Sequence, residues 1–203
     1  MPSRWSSCAS GPRAREPRGD LLGERLPHAG ESLPAQLSDE ERPRVAFAAR
    51  TLAHETPHSL KYVQSLATQS YGIGAQGAAI SSGSFVTLGM VIAPCSMRTL
   101  AAIAHGLGDN LIHRAADVIL KERRKLVLVV RESPFNEIHL ENMLKLARMG
   151  VVILPPVPAF YNNPQNLDDM INHITMRVID QFDIHLDVMN RWDGVLLDRK
   201  REE

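Results

Sequence analysis

Polar residues that could bind an anionic or polar ligand follow an apolar run in the motif PCSMRT, residues 94–99. The run before it, FVTLGMVIA, spans residues 85–93, and LAAIA follows at residues 100–104. A serine at the N-cap of a helix, together with the free amides of the next turn, can hold an anion or the carbonyl groups of a heterocycle. Ser96 and Thr99 are therefore candidate ligand-binding residues. They could equally cap an ordinary helix, and both interpretations stay open.

Two further polar clusters follow apolar runs. Arg131 and Glu132 come directly after KLVLVV, and Tyr161 comes after the rigid stretch PPVP. An arginine beside a carboxylate offers a fixed cation next to a proton acceptor, or else a surface ion pair whose members satisfy each other. The phenol of Tyr161 could enter a pocket, or its ring could cover the core.

The elements that must position these clusters are strands alternating with helices. The runs at residues 85–93, 125–130 and 151–154 are nearly continuous in apolar residues, which is typical of strands covered on both faces. Helical patterns occupy residues 96–106, 110–124, 137–149 and 167–182, and Gly150 is predicted to end the third of them. This order predicts a parallel sheet with right-handed crossovers. Ligands bind beyond the carboxyl ends of such strands, so the three clusters should share one rim.

The composition changes abruptly near residue 44. Residues 1–50 contain eight arginines, six prolines and no lysine. Residues 1–43 show no helical or strand periodicity, and few large apolar side chains that could offset the cost of ordering. We expect an atypical, poorly ordered segment over 1–43, a folded domain over 44–195 and a charged tail over 196–203. A folded subdomain within 1–43 is the alternative.

Charge and cysteine content exclude several classes of function. Lysine plus arginine equals aspartate plus glutamate at 23 each, which gives no electrostatic case for nucleic acid or an anionic membrane. Two cysteines form no disulfide framework, and we find no bilayer-spanning run or signal peptide, so we expect a cytoplasmic protein.

Asp168 and Asp169 suit the first turn of a helix and do not form a DDxxD motif, since Asn172 follows. No metal is expected.

The motifs taken in order resemble the UbiX/Pad family of flavin prenyltransferases, also known as small subunits of aromatic-acid decarboxylases. The resemblance runs from about residue 52 to residue 192 and is carried by AAISSGSF, PCSMRTLAAI, RAADVILKERRKLVLVVRESP, HLENMLKLARMG and ILPPVPAFYNNPQNLDDMINH. It implies a flavodoxin-like, doubly wound parallel sheet in a three-layer α/β domain. It also implies transfer of a dimethylallyl group from dimethylallyl monophosphate to N5 and C6 of reduced FMN. A UbiD-type decarboxylase would use the product, and the enzyme would be a homo-oligomer, a dodecamer.

The resemblance also implies roles for individual residues. Residues contacting the flavin would be Ser96, Met97, Arg98, Thr99 and Arg131. Residues holding the dimethylallyl phosphate would be Tyr161, Arg177, Lys121 and Arg114. Glu132 and Glu55 would handle protons, Ser81, Ser82 and Ser84 would line a neighbouring loop, and Trp192 would lie near the site. Cations and a phenol can stabilise the charge that develops on a departing phosphate without a metal.

The amino terminus departs from the family pattern. The family opens with an apolar strand and a GxSGAxG-like loop that receives the flavin phosphate, whereas the nearest counterpart here is Cys8-Ala9-Ser10-Gly11. The first βαβ unit is therefore expected to be lost or altered, with weaker binding of FMN. Two alternatives remain: a flavoprotein similar to cysteine decarboxylases, whose usual histidine and asparagine are not evident here, and a non-catalytic, decayed subunit.

Overall fold

The computed structural model describes residues 51–186, which form alternating helices and strands. The strands are β1 (Gly89–Cys95), β2 (Lys125–Val130) and β3 (Val152–Ile153). The helices are α1 (Leu60–Ser65), α2 (Met97–Ala104), α3 (Leu111–Lys121), α4 (Glu137–Arg148) and α5 (Leu167–Asp180). Residues 51–55 are also helical, and 3₁₀ turns occur at Ala79–Ser81 and Phe160–Asn162. The predictions for residues 1–43, Trp192 and the charged tail lie outside the described residues.

The strands form a parallel sheet, as predicted. Their order is β1-β2-β3; Ile92 pairs with Leu128 across the first interface, and Val127 pairs with Val152 across the second. Helices α2 and α3 lie in the crossover from β1 to β2, and α4 lies in the crossover from β2 to β3. The carboxyl ends of the strands consequently share one edge of the sheet.

The core is centred on β2, and this strand is covered on both faces. Successive side chains of a strand point to opposite faces, and all five residues from Leu126 to Val130 are buried. Leu126, Leu128 and Val130 pack with Leu100 of α2 and other buried apolar side chains. This pattern confirms the three-layer α/β architecture expected from the continuous apolar run.

Strand β1 differs from the prediction in its start and in its burial. It begins at Gly89, and Phe85, Val86 and Leu88 are exposed and precede the strand. Within residues 51–186, β1 pairs only with β2 and is an edge strand. Val91, on one face of β1, is 39% exposed, so the predicted coverage on both faces is not seen for this strand among the described residues. Apolar content alone cannot distinguish an edge strand from a central one.

Polar side chains cap the amino ends of the long helices. The side chains of Ser96, Asn110, Asn136 and Asn166 each accept a hydrogen bond from the backbone amide three residues later, at the starts of α2, α3, α4 and α5. Gly150 follows α4 with a φ of +88°, which confirms its predicted role in ending that helix. Asp168 and Asp169 lie in the first turn of α5, as expected from the helix dipole.

Gly89 starts β1 in a position that has no room for a side chain. Its φ is +154°, and a Cβ there would overlap the carbonyl oxygen of Lys125 and lie 2.6 Å from the ring of Phe182. We expect Gly89→Ala to lower the free energy of unfolding by about 1–3 kcal/mol, because the neighbours must shift to admit the methyl group. Urea denaturation measures this change. Gly77→Ala is the matched control, since a Cβ at Gly77 meets nothing within 4 Å; equal effects of the two substitutions would contradict the steric argument.

Candidate active site

The carboxyl ends of β1 and β2 lie side by side. The backbone amide of Arg131, the first residue after β2, donates to the carbonyl of Cys95, the last residue of β1, at 3.2 Å. This bond places Ser96 and Arg131 at neighbouring strand ends, where polar groups from two parts of the chain face the same edge. Both side chains are exposed and accessible to a ligand.

Ser96 is the N-cap of α2. Its hydroxyl accepts from the backbone amide of Thr99 at 3.2 Å and donates to the Thr99 hydroxyl at the same distance. Arg98 is exposed, whereas the side chain of Met97 is buried in the core, so Met97 could contact a ligand only through its backbone. Around the start of α2, Ser96 and Thr99 offer hydroxyls, Arg98 offers one cation, and the first turn offers backbone amides.

Cys95 contributes packing to this region. Its side chain is fully buried, and desolvation raises the pKa of the thiol from 9.0 to about 11. A thiol with that pKa stays protonated at neutral pH, and the thiolate is the nucleophilic form. Cys95 is therefore not a candidate nucleophile, although it lies next to the helix start.

Arg131 and Glu132 are not paired with each other among the described residues. Both are exposed, and the Glu132 carboxylate accepts instead from the backbone amide of Ser133 at 3.1 Å. This arrangement gives no support to a mutually satisfied surface ion pair. It leaves a guanidinium and a carboxylate at the end of β2 that could both act on a bound ligand.

A cavity of about 410 Å³ lies at the exit of the third strand. Its walls are largely apolar and include Leu154, Val157, Phe160 and Ile174. Its polar residues are Tyr161, Arg177 and His173. An apolar cavity with a few convergent polar groups is the usual form of a small-molecule site.

The polar groups of this cavity come from the loop after β3 and from one face of α5. The rings of Tyr161 and His173 meet edge to face, with centroids 6.3 Å apart. Arg177 lies one helical turn after His173; its side chain is 54% exposed and its Nη1 is 3.2 Å from a carboxylate oxygen of Asp180. The structure thus brings together Tyr161 and Arg177, as the resemblance implied.

Lys121 and Arg114 lie on α3, and neither lines the cavity. They are seven residues apart, close to two helical turns, and so share a face of the helix. Lys121 donates to Glu122 at 2.6 Å and Arg114 donates to Asp117 at 2.9 Å. The hydrogen bond from Lys121, followed by its charge, lowers the pKa of Glu122. Both cations are about half exposed and retain donors for a ligand.

The serines of the predicted loop lie next to the end of this helix. Ser82 and Ser84 are exposed, with their hydroxyl oxygens 2.8 Å apart, and the buried hydroxyl of Ser81 has no partner among the described residues. Glu55 is exposed at the end of the helical segment 51–55 and does not line the cavity. Its predicted role in proton handling stays a prediction.

Two residues were not identified from the sequence. His173 lines the cavity, and its i, i+4 spacing from Arg177 on a helix could have indicated it. Arg124 donates to backbone carbonyls of the serine loop at 2.6 Å. No local pattern marks it, because its partners lie 39 and 41 residues earlier in the chain.

Residues 51–186 contain neither a metal-binding cluster nor a membrane-spanning helix. No group of three or more His, Cys, Asp or Glu side chains there could hold a metal ion. In the same part of the chain, none of the helices has the length and apolar character needed to cross a bilayer.

Comparison with known proteins gives matches over most of the chain. A family model described as Flavoprotein matches residues 47–179. A probable UbiX-like flavin prenyltransferase of Bacillus subtilis is 58% identical over 149 residues, which cover 73% of each chain. Flavin prenyltransferase LpdB of Lactiplantibacillus plantarum is 55% identical and covers 73% of this chain and 80% of its own.

Two solved structures are similar in both fold and sequence. A dodecameric FMN-dependent UbiX-like decarboxylase from Escherichia coli O157:H7 gives a TM-score of 0.70 at 54% identity, covering 73% of this chain and 80% of that one. AnUbiX (PadA1), solved in complex with FMN and dimethylallyl pyrophosphate, gives a TM-score of 0.71 at 48% identity, covering 73% and 79%.

Proposed function

The chain belongs to the flavoprotein family that includes the UbiX-like flavin prenyltransferases, and we propose that it transfers a dimethylallyl group from dimethylallyl monophosphate to reduced FMN. The observation that carries this proposal is the identity of 50–58% to curated relatives named as flavin prenyltransferases, together with a family match over residues 47–179, which contain all three strand exits. The flavodoxin-like, doubly wound fold agrees with the solved relatives.

The residues at the ends of β1 and β2 fit a flavin. The isoalloxazine ring system presents carbonyl oxygens and ring nitrogens along one edge, and these groups need donors. The first-turn amides of α2, the hydroxyls of Ser96 and Thr99, and the exposed guanidinium of Arg131 supply donors at one place. Reduced FMN provides the nucleophilic N5 and C6 positions, and the protein must hold that edge of the ring towards the alkyl donor.

The cavity after β3 fits the donor of the dimethylallyl group. Its apolar side chains suit a five-carbon isoprenoid, while Arg177 and Tyr161 can donate to phosphate oxygens. When the allylic C–O bond breaks, its electron pair leaves with the phosphate. Donors aimed at that group therefore stabilise the transition state. Lys121 and Arg114 on α3 lie outside this cavity, and their part in holding the phosphate, which the resemblance implies, stays a prediction.

Glu132 is the candidate for moving protons. Alkylation at N5 releases the N5 proton. Closure of the ring joins C6 to the tertiary carbon of the prenyl group, while the allylic double bond takes up a proton and C6 loses one. A carboxylate beside the ring can accept the first proton and relay the second. Glu132 stands next to Arg131 and is held by a single backbone amide, so most of its lone pairs stay available.

The product would serve a UbiD-type decarboxylase, as the association of the relatives with decarboxylation suggests. We further infer a homo-oligomer, a dodecamer like the E. coli relative. Apolar side chains exposed on and just after α4 support association: Ile138, Leu140, Leu144 and Met149 are each at least 52% exposed. The cytoplasmic location stays a prediction. No observation in residues 51–186 favours cysteine decarboxylation or a non-catalytic role.

Incubation of the purified protein with reduced FMN and dimethylallyl monophosphate tests the function. We expect mass spectrometry to show a flavin heavier by one dimethylallyl group, and its formation to persist in the presence of a chelator because no metal is invoked. Omission of the monophosphate is the control. Unmodified flavin after incubation, with both ligands shown to bind, would contradict the proposal.

A further inference from the structure

Helix α4 carries two leucines on a side that the rest of the described chain leaves half exposed. The buried side of the helix is marked by Leu146, which is fully buried, and by Asn142, whose amide oxygen lies 3.0 Å from Nε2 of His105 at the end of α2. Leu140 and Leu144 lie one turn apart on another side and are 53% and 52% exposed. Adjacent large apolar side chains in that position indicate an interaction surface.

Two charges of opposite sign flank these leucines. Residues four apart form ridges along a helix, and Arg148 continues the ridge of Leu140 and Leu144. Glu137 begins the neighbouring ridge, at the amino end of the helix, about three turns away from Arg148. Both charged side chains are exposed, and neither forms an ion pair with another residue of 51–186. Their charges are therefore available to a partner.

This arrangement is complementary to itself when a second α4 runs antiparallel. A twofold axis can set Leu140 of each copy opposite Leu144 of the other. The same register brings Glu137 of each copy to within one residue of the level of Arg148 of the other. In an antiparallel helix pair, the same flank of both helices faces inwards, so these opposite charges meet. In a parallel pair, like charges would lie at the same level.

We propose that the outward side of α4, formed by Leu140 and Leu144 with Glu137 and Arg148 at its ends, binds a second copy of this chain as an antiparallel, twofold pair. The helix dipole also favours acidic residues in the first turn and basic residues in the last, but it does not account for the exposed leucines between them. The chain has a formal net charge of zero, so overall repulsion does not oppose the pairing. This inference rests on the homo-oligomer proposed above, to which it assigns a contact surface.

Reversal of the charges tests the antiparallel register. Glu137→Arg and Arg148→Glu each place like charges opposite one another, which opposes association. We expect either variant to dissociate at a concentration about tenfold or more above that of the wild type, in a dilution series followed by sedimentation equilibrium. The double variant restores opposite charges across the axis and should dissociate at the concentration of the wild type, although both of its substitutions oppose the helix dipole.

Lys145→Glu is the matched control for Arg148→Glu. Lys145 is the other basic residue in the last turn of α4, and its exposed side chain lies about 100° around the helix from Leu144. Both substitutions oppose the helix dipole, but only Arg148→Glu should change the dissociation.

Leu144→Glu tests the apolar contact. It places a charge at the centre of the pair and should reduce the mass of the assembly to about half or less. Because Leu144 is half exposed in the subunit, we expect the subunit to stay folded, with an unchanged circular dichroism spectrum.

These measurements separate the pairing from the proposed reaction. A monomeric wild type at micromolar concentration, or dissociation like that of the wild type in every variant, would overturn the pairing. Dissociation of the single variants without recovery in the double variant would overturn the antiparallel register. An unchanged mass with a lower unfolding temperature in Leu144→Glu would mean that another part of the same chain covers the leucines, which also overturns the pairing. An intact oligomer that binds both ligands and forms no prenylated flavin would contradict the proposed function alone.

Discussion

Replacement of Glu132 by glutamine is expected to lower kcat by about 100- to 10,000-fold, the range typical of removing a general acid or base. The amide cannot accept the proton that the flavin releases, although it matches the carboxylate in shape. The hydrogen bond from the Ser133 amide can be kept by the Gln oxygen, and the side chain is exposed, so folding should be unaffected. Single-turnover formation of the prenylated flavin measures the chemical step directly.

Glu141→Gln provides the control for this substitution. Glu141 is an exposed glutamate on α4, outside the cavity and both strand exits, and its replacement should leave kcat unchanged. Equal thermal unfolding temperatures and equal FMN affinities in the two variants would isolate the chemical effect. Full activity of Glu132→Gln would show that the proton goes to another group, such as the departing phosphate.

Arg177→Lys is expected to raise the KM for dimethylallyl monophosphate by about tenfold or more. The substitution keeps the charge in the cavity but loses the fork that can bind phosphate while it contacts Asp180. The loss corresponds to one charge-assisted hydrogen bond of about 1.5–3 kcal/mol. The Kd of FMN should hardly change, because Ser96, Thr99 and Arg131 lie at the other strand exits. Steady-state kinetics and flavin titration on the same preparation give both values.

Arg148→Lys makes the same chemical change at an exposed arginine in the last turn of α4 and should alter neither constant. A parallel loss of flavin affinity and thermal stability in Arg177→Lys would indicate that Arg177 supports the fold through its aliphatic stem. Unchanged turnover at limiting monophosphate would likewise contradict a phosphate clamp.

The features of the fold that were predicted correctly from the sequence are those that depend on residues close together in the chain. Strand β2 occupies residues 125–130, as expected from its apolar run. Ser96 caps α2, and Gly150 ends α4, because the capping chemistry is contained within a few neighbouring residues. Parallel topology alone predicted that Ser96 and Arg131 lie at the same edge of the sheet. The hydrogen bond from the Arg131 amide to the Cys95 carbonyl confirms that the two strand ends are neighbours.

The parts that could not be predicted depend on contacts between distant residues. Phe85 belongs to an apolar run, yet it precedes β1, because Gly89 is the first residue in register with Lys125. The two hydrogen bonds that Arg124 donates reach carbonyls about 40 residues earlier in the chain. Roles taken from the resemblance, such as those of Lys121 and Glu55, could be placed on elements, but their action on a ligand stays a prediction.

The cavity after β3 and the candidate flavin residues are contributed by separate stretches of chain. Every lining residue of the cavity falls between Leu154 and Arg177, whereas the candidate flavin residues fall between Ser96 and Arg131. Mutations in the later stretch can therefore reshape the pocket for the alkyl group while the earlier stretch stays intact. In evolution, a scaffold of this kind could change its isoprenoid donor without losing its flavin. In the laboratory, the segment from residue 154 to residue 182 is the natural unit to exchange between relatives.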